Sequence, residues 1–331
     1  MEVEAITGQI AQGRAVQGLD LSGRDLSGAD FRGGEFRACN FARATLRGAD
    51  FREAQLDRCD FSQADFGGAN LTLAQFKECA MEGSRLEAAQ AESIDLRDCA
   101  LARATFRDAR LHRASFAACR LDAADFSRAD LSRVDMENAD LTGVVFSATD
   151  LRQAFLRGAD LKGAAFPGCD LRLALLDGAD VSQADFTGLD LTQVCLSGAK
   201  AVGASFRQAT ASYARFQNAD CGQAEFTGAG FTFCNFTGAD LQKTVFRQAT
   251  LSMCLFTQAR CLHADFRQAR LDYADFSHAV VMDADFAFAD LTMTIMHQVR
   301  LDTAKTADAD LGSIRPPDPL LAEAEAWTAK G

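Results

Sequence analysis

The chain has 331 residues, a formal net charge of −12 and a pI near 4.8. Because nucleic acid backbones and anionic membranes attract positive charge, this acidity argues against direct binding to nucleic acid or membrane. The first twelve residues contain no Lys or Arg and no long apolar run, which fits neither a secretory signal nor a membrane span, so a cytoplasmic protein is expected.

Residues 1–18 are expected to form an N-terminal cap. Val3, Ile6 and Ile10 are spaced by three and then four residues, which places them on one side of a short helix. A stack of repeats has an open end, and an atypical terminal segment usually covers it.

Residues 19–313 are predicted to form a repeat domain. From Leu21 to Leu311 the chain falls into 59 five-residue units without insertion or deletion, and the central residue, i, is Leu or Phe in 48 of them. Position i−2 is small, i−1 favours Asp or Asn, i+1 favours Ser, Thr or Arg, and i+2 favours Gly or Gln. An apolar period of five residues matches neither the helical period of about 3.6 nor the strand period of about 2. Glycine at i+2 suits a turn with positive φ. A coil built from short extended pieces and turns is the prediction.

A second period of twenty residues indicates four units per turn. One set of phenylalanines recurs at this interval: Phe106, Phe126, Phe146, Phe166, Phe186, Phe206, Phe226, Phe246, Phe266 and Phe286. Cysteines at i−2 do the same: Cys39, Cys59, Cys79, Cys99 and Cys119. Four units per turn give about 15 coils, each in contact only with its neighbours.

Units such as the one from Ala139 to Gly143, with the sequence Ala-Asp-Leu-Thr-Gly, resemble those of the pentapeptide repeat family. The resemblance covers about 291 residues of the chain. It implies an all-β solenoid, a right-handed quadrilateral parallel β-helix, in which i and i−2 point inward.

Residues 314–331 are predicted to form a C-terminal helical segment. Asp318 and Pro319 fit the N-cap and first position of a helix. Leu320, Ala324 and Trp327 would then share an apolar face. The helix is expected either to cap the last coil or to dock on a second subunit, so helical caps are expected at both ends.

The sequence predicts no catalytic residue, no cofactor and no metal site, and hence no enzyme. Ten of the eleven cysteines lie at i or i−2 and are interpreted as small buried residues, with only Cys195 expected to point outward. The four histidines lie at i+1 or i+2 and are interpreted as solvated, with no pair sharing a carboxylate: His112, His263, His278 and His297. No hydrolase, zinc or phosphate-loop motif occurs.

Acidic charge is concentrated after residue 120, where the net charge is −10 against −2 before it. Two stretches without Lys or Arg are candidate acidic patches, with Asp177, Asp180, Asp185 and Asp190 in one and Asp272, Asp275, Asp283, Asp285 and Asp290 in the other. Members of the family that confer quinolone resistance resemble DNA and bind DNA gyrase or topoisomerase IV. Such mimicry is the alternative function. Pairs such as Asp150 with Arg152 argue against it, since they reduce the local field.

An outward apolar stripe in the C-terminal half is the second candidate surface. The predicted partner-binding residues lie at i+2 on one face and at i−1 on the next: Leu173, Tyr213, Phe233, Met253, Tyr273 and Met293, then Phe155, Leu175 and Leu255. Clustered aromatic and methionine side chains usually mark an interface.

The sequence therefore predicts a non-enzymatic scaffold or adaptor for protein–protein interaction, built on a rigid acidic rod. The resemblance suggests an association with bacterial secretion systems. The expected partner is another protein of unknown identity, and a homodimer is the other expectation.

Overall fold

The computed structural model describes residues 3–316 and 318–328, in two compact units that meet between residues 179 and 180 in the sequence. The first unit holds helix α1 and five short strands: α1 Val3–Ala11, β1 Val16–Gln17, β2 Glu35–Arg37, β3 Gln55–Asp57, β4 Gln75–Lys77 and β5 Asp95–Arg97. The second holds two strands, a 3-10 turn and helix α2: β6 Thr210–Ser212, β7 Gly230–Thr232, Leu311–Ser313 and α2 Pro319–Thr328. Among the described residues, no helix is both long enough and apolar enough to cross a membrane.

In the first unit, each strand from β1 to β4 pairs in parallel with the strand twenty residues further on. Phe36 pairs with Leu56, and Leu56 pairs with Phe76. Single-residue bridges continue this register as far as Phe155 and Leu175. The strands of this unit therefore make about eight coils of twenty residues.

The second unit keeps the same register. Ala211 pairs with Phe231 in the short sheet, and bridges run from Asp180 to Lys305. This gives about six coils, so the two units together have slightly fewer coils than the 15 expected. Each unit is a right-handed quadrilateral parallel β-helix with four five-residue units per turn, as predicted.

The core of each unit consists of the i and i−2 side chains. The rings of Phe106 and Phe126 stack one coil apart, with centroids at 4.7 Å and planes at 7°. In the second unit, Phe246 and Phe266 stack at 5.0 Å and 3°. Burying each ring stabilises the fold by about 1.5–3 kcal/mol. The phenylalanine ladder is thus an internal structural feature, as predicted.

The outward positions also have regular roles. The carboxylate at i−1 accepts a hydrogen bond from the backbone amide at i+1, as when Asp50 accepts from Arg52 at 3.1 Å. Residues at i+2 have positive φ whether or not they are glycine, for example Gly198 at 66° and Tyr213 at 59°. Side chains at i+2 therefore project from a left-handed turn.

The helices lie at the two ends of the sequence. In α1, Ile6 is fully buried and Ile10 is half-buried, whereas the side chain of Val3 is outside the described part of the chain. In α2, Asp318 accepts from the amide of Leu320 at 2.9 Å, as expected of an N-cap.

The predicted apolar face of α2 does not pack against the coils of its unit. Leu320 and Trp327 are 74% and 79% exposed. The helix instead contacts the coils through Glu325, because this side chain reaches two histidines there.

Candidate functional site

Five apolar side chains of the second unit form an outward row, here called the apolar row: Tyr213, Phe233, Met253, Tyr273 and Met293. They occupy i+2 on five successive coils and are 39–56% exposed. The rings of Tyr213 and Phe233 stack with centroids 5.1 Å apart and planes at 12°. Aromatic stacking therefore occurs on the surface of this unit as well as in its core.

Backbone hydrogen bonds fix the spacing of this row. The amide of Tyr213 donates to the carbonyl of Thr232 at 3.1 Å, and that of Tyr273 donates to Thr292 at 2.9 Å. At the end of the row, the amide of Met293 donates to Ser313 at 2.8 Å. Backbone hydrogen bonds between successive coils therefore fix the positions of these residues without a bound partner.

The other predicted partner-binding residues are divided between the units. Leu255 is exposed in the second unit, two residues after Met253. In the first unit Leu173 is exposed, while Phe155 and Leu175 pair one coil apart and are only half-buried. Their positions at i+2 and i−1 match the predicted outward orientation.

The sequence analysis missed further exposed apolar side chains on the described coils of the second unit, among them Val280, Met282 and Phe288. Phe288 has φ of 59° and lies at i+2 of the unit centred on Phe286. Its position in the five-residue register was therefore a sufficient signal. It was left out because only one face was searched at i+2.

The first acidic stretch makes structural hydrogen bonds. The carboxylates of Asp180, Asp185 and Asp190 accept from the amides two residues ahead at 2.9–3.0 Å. Asp177 lies 3.7 Å from the guanidinium of Arg157. These aspartates stabilise their turns whether or not they face a partner.

The second acidic stretch behaves in the same way. Asp275, Asp285 and Asp290 accept from the amides two residues ahead at 2.8–3.1 Å. Asp272 accepts from the hydroxyl of Ser252, and Asp283 lies 3.7 Å from the imidazole of His263. These aspartates therefore have intramolecular hydrogen-bond or close polar partners while they keep their negative charge.

All eleven cysteines are buried and free of disulfides. In the ladder from Cys39 to Cys119, each thiol donates to the carbonyl 23 residues earlier, as Cys79 does to Leu56 at 3.4 Å. The expectation for Cys195 was wrong, since this residue is 2% exposed. Its Sγ lies 3.3 Å from the hydroxyl of Ser197.

His263 and His278 are exposed, as expected, but the expectation that no two histidines share a carboxylate was wrong. His278 Nε2 lies 3.2 Å from one oxygen of Glu325, and His297 Nε2 lies 2.9 Å from the other. His297 is only 6% exposed. The hydrogen bond with His297 holds the pKa of Glu325 below its ordinary value, so this carboxylate stays ionised. The sequence separation of 19 residues places i+1 of one coil beside i+2 of the coil before it, and this signal was overlooked.

His112 is also engaged, because its Nδ1 lies 2.8 Å from the hydroxyl of Ser132. That hydroxyl donates in turn to Asp130. In a catalytic triad the carboxylate orients the imidazole, whereas here it contacts the serine. This group therefore has the residue types of a hydrolase triad in a different arrangement.

Two family profiles match the chain. "Pentapeptide repeat region" matches residues 29–106 and 109–186, and "Pentapeptide repeats (8 copies)" matches residues 190–220, 224–260 and 259–298. No curated protein sequence matches the chain at a significant level.

Several solved structures are similar to this chain. HetL, a pentapeptide repeat protein involved in heterocyst differentiation regulation in the cyanobacterium Nostoc sp. strain PCC 7120, is 22% identical, with 94% of this chain and 99% of that chain covered and a TM-score of 0.19. Full-length QnrB1, a plasmid-mediated fluoroquinolone resistance protein, is 13% identical, with coverage of 95% and 99% and a TM-score of 0.24. A trypsin-treated variant of QnrB1 is 27% identical, with coverage of 54% and 82% and a TM-score of 0.24.

These TM-scores are too low for any of the three structures to guide a functional assignment. The family assignment depends on the profiles, which match repeats in both units. The five-residue register from Leu21 to Leu311 and the inward i and i−2 side chains agree with it. The chain belongs to the pentapeptide repeat family.

Proposed function

We propose that this protein is a non-enzymatic scaffold that binds another protein through the apolar row of its second unit. The observation that carries the proposal is the exposed stack of Tyr213 on Phe233, continued by Met253, Tyr273 and Met293. Aromatic and methionine side chains are enriched in the buried centres of protein interfaces.

The fold does not require bulky apolar residues at these positions. Glutamine occupies the same left-handed turn position at Gln193, Gln223 and Gln268. Positive φ costs roughly 1–2 kcal/mol for any residue other than glycine, and a large apolar side chain does not lower this cost. Because the aromatic and methionine side chains of the apolar row are exposed to solvent there, a role in binding is favoured over a role in folding.

Charge indicates which kind of partner fits. The residues after 120 carry a net charge of −10, and Asp272 and Asp275 flank Tyr273 in the sequence. The proposed partner is a different protein that presents an apolar strip bordered by Lys or Arg. A second copy of this acidic chain would bring like charges together, so a homodimer is an outcome of the test below. The family resemblance suggests that the protein is cytoplasmic and is associated with a bacterial secretion system.

DNA mimicry remains the alternative proposal, with gyrase or topoisomerase IV as the target. It requires a continuous negative surface, whereas the ion pairs of Arg152 with Asp150 and of Arg172 with Asp170 place positive charge between the aspartates of the first unit. A gyrase supercoiling assay with and without quinolone tests it directly. Inhibition of gyrase by a stoichiometric amount of this protein, or protection of gyrase from quinolone, would support mimicry over the scaffold proposal.

The scaffold proposal is tested by comparing three proteins in capture experiments from the native host. The apolar-row variant carries Tyr213→Gln, Phe233→Gln and Tyr273→Gln. The matched control carries Leu73→Gln, which changes an exposed apolar residue at the same turn position in the first unit.

Wild type and the Leu73→Gln control should retain one partner that the apolar-row variant loses. The purified partner should then bind the apolar-row variant at least about tenfold more weakly than wild type, equivalent to about 1.4 kcal/mol. Equal capture by all three proteins would overturn the proposal. The proposal would also be overturned if light scattering gave the apolar-row variant half the mass of wild type, since the apolar row would then bind a second copy of this chain.

A further inference from the structure

We propose that His278, His297 and Glu325 form a binding site for a divalent transition ion such as Zn²⁺. One ligand atom from each of the three residues lies within 4.8 Å of the other two. The two imidazole-to-carboxylate distances are 3.2 Å and 2.9 Å. Ligands bound at about 2.0–2.2 Å around tetrahedral zinc are separated by about 3.2–3.6 Å. The two contacts with Glu325 are close to this range, and separations near the 4.8 Å limit would have to shorten by about 1–1.5 Å.

The coil fixes the two histidines relative to each other. The backbone amide of His278 donates to the carbonyl of His297 at 2.8 Å, which locks the adjacent coils in register. Their rings meet edge to face, with centroids 5.4 Å apart. Because His297 is buried and His278 is half-exposed, one ligand is rigid and the other can adjust.

The donor set indicates the class of ion. Two imidazole nitrogens and one carboxylate oxygen suit Zn²⁺, Co²⁺, Ni²⁺ or Cu²⁺, whereas Mg²⁺ and Ca²⁺ prefer oxygen ligands alone. Three protein ligands at the protein surface leave a coordination position that water can fill.

The placement of Glu325 gives the site a structural consequence. This residue lies on α2, whereas both histidines lie on the coils. Leu320 and Trp327 of α2 are largely exposed, so apolar burial of these two side chains does little to hold the helix. A bound ion would tie α2 to two successive coils.

Isothermal titration of the full chain with ZnCl₂ in chelator-free buffer tests the proposal. One equivalent of Zn²⁺ should bind to wild type. The variants His297→Gln and Glu325→Gln should bind it at least about tenfold more weakly, because each removes a direct ligand. The controls His112→Gln and His263→Gln should bind as wild type does.

Glu325→Gln separates a metal site from a simple hydrogen-bonded contact. Glutamine still accepts a hydrogen bond from an imidazole N–H, but it is a poor ligand for Zn²⁺. Retention of wild-type affinity in this variant would overturn the proposal, as would the absence of binding to wild type. Circular dichroism of each variant checks that the solenoid is folded.

The absorption spectrum of bound Co²⁺ tests whether a cysteine is among the metal ligands. A thiolate ligand gives an intense charge-transfer band in the near ultraviolet, whereas nitrogen and oxygen ligands do not. Weak visible bands without a charge-transfer band are expected for this site. A thiolate band would assign the metal to a cysteine and refute the site.

Discussion

The rings of Phe206 and Phe226 stack inside the second unit with centroids 4.6 Å apart, and Tyr213 and Phe233 repeat this relationship outside it at 5.1 Å. Both pairs are twenty residues apart, so the same coil spacing produces both. Only the position within the five-residue unit differs, i for the inner pair and i+2 for the outer. The inner pair stabilises the fold, and the outer pair is available to a partner.

Replacing the inner ring should be costly. Phe206→Ala should lower the free energy of unfolding by about 3–5 kcal/mol, since it removes buried surface and leaves a cavity between Phe186 and Phe226. Phe206→Leu, which keeps a residue common at i, should cost less than Phe206→Ala because it leaves a smaller cavity. Urea denaturation of the three proteins measures both effects. A negligible loss in Phe206→Ala would contradict the stacking of successive coils.

Replacing Ser84 should have the opposite effect. Its hydroxyl is fully buried at i−2 and makes no hydrogen bond with any described residue, whereas Thr244 at an equivalent position donates to Cys221 at 2.8 Å. Ser84→Ala removes an unsatisfied polar group and should raise stability by about 1 kcal/mol. Thermal denaturation measures the shift. A lower melting temperature would show that the hydroxyl has a partner.

The repeat register explains why so much of the fold could be predicted from the sequence. A coil of twenty residues places Phe106 above Phe126 and Cys39 above Cys59, and no tertiary information beyond that spacing is needed. The ends of the chain were harder to predict, because they lack the register. The Asp318–Pro319 pair gave the N-cap of α2 correctly, but the apolar spacing could not indicate that Glu325 would face the coils instead of Leu320 or Trp327.

The thiols should be protected in the native protein. Burial raises the pKa of Cys221 and of Cys261, so neither forms the reactive thiolate readily. Titration with a thiol reagent should modify few cysteines in buffer and all eleven in denaturant. Because Cys195 is buried, Cys195→Ala should leave the native reaction unchanged. A fast-reacting thiol that disappears in Cys195→Ala would restore the outward orientation.

Stability should depend on pH through Asp265. Burial raises the pKa of this carboxyl, but hydrogen bonds from Arg267 and Arg247 outweigh burial and lower the pKa to about 2, from an ordinary value of 3.8. A depressed folded-state pKa stabilises the protein above the unfolded value, and the contribution is lost as the pH falls from about 4 to about 2.

The matched comparison for this prediction is Asp265→Asn, which keeps the shape of the side chain and removes its charge. Wild type should be the more stable protein at pH 7, and the gap in urea midpoint should close between pH 4 and pH 2. A gap that stays constant over this range would show that the two arginines do not act on Asp265 through its charge.

The candidate surface was only partly predictable. Outward orientation follows from i+2, so Tyr213, Phe233 and Tyr273 could be selected from the sequence alone. Burial at outward positions depends on the length of neighbouring side chains, and the five-residue pattern carries no information on it. For this reason Cys195 and His297 were both assigned to solvent, although they are buried.

The central claim is that a different protein binds at the apolar row, and photo-crosslinking tests it most directly. A photoreactive phenylalanine analogue is placed at Phe233, or at Leu73 as the control, and the protein is irradiated in its native host. The Phe233 derivative should give one crosslinked product with a different protein, and the Leu73 derivative should not. Crosslinks from both positions to the same proteins, or from Phe233 only to a second copy of this chain, would contradict the claim.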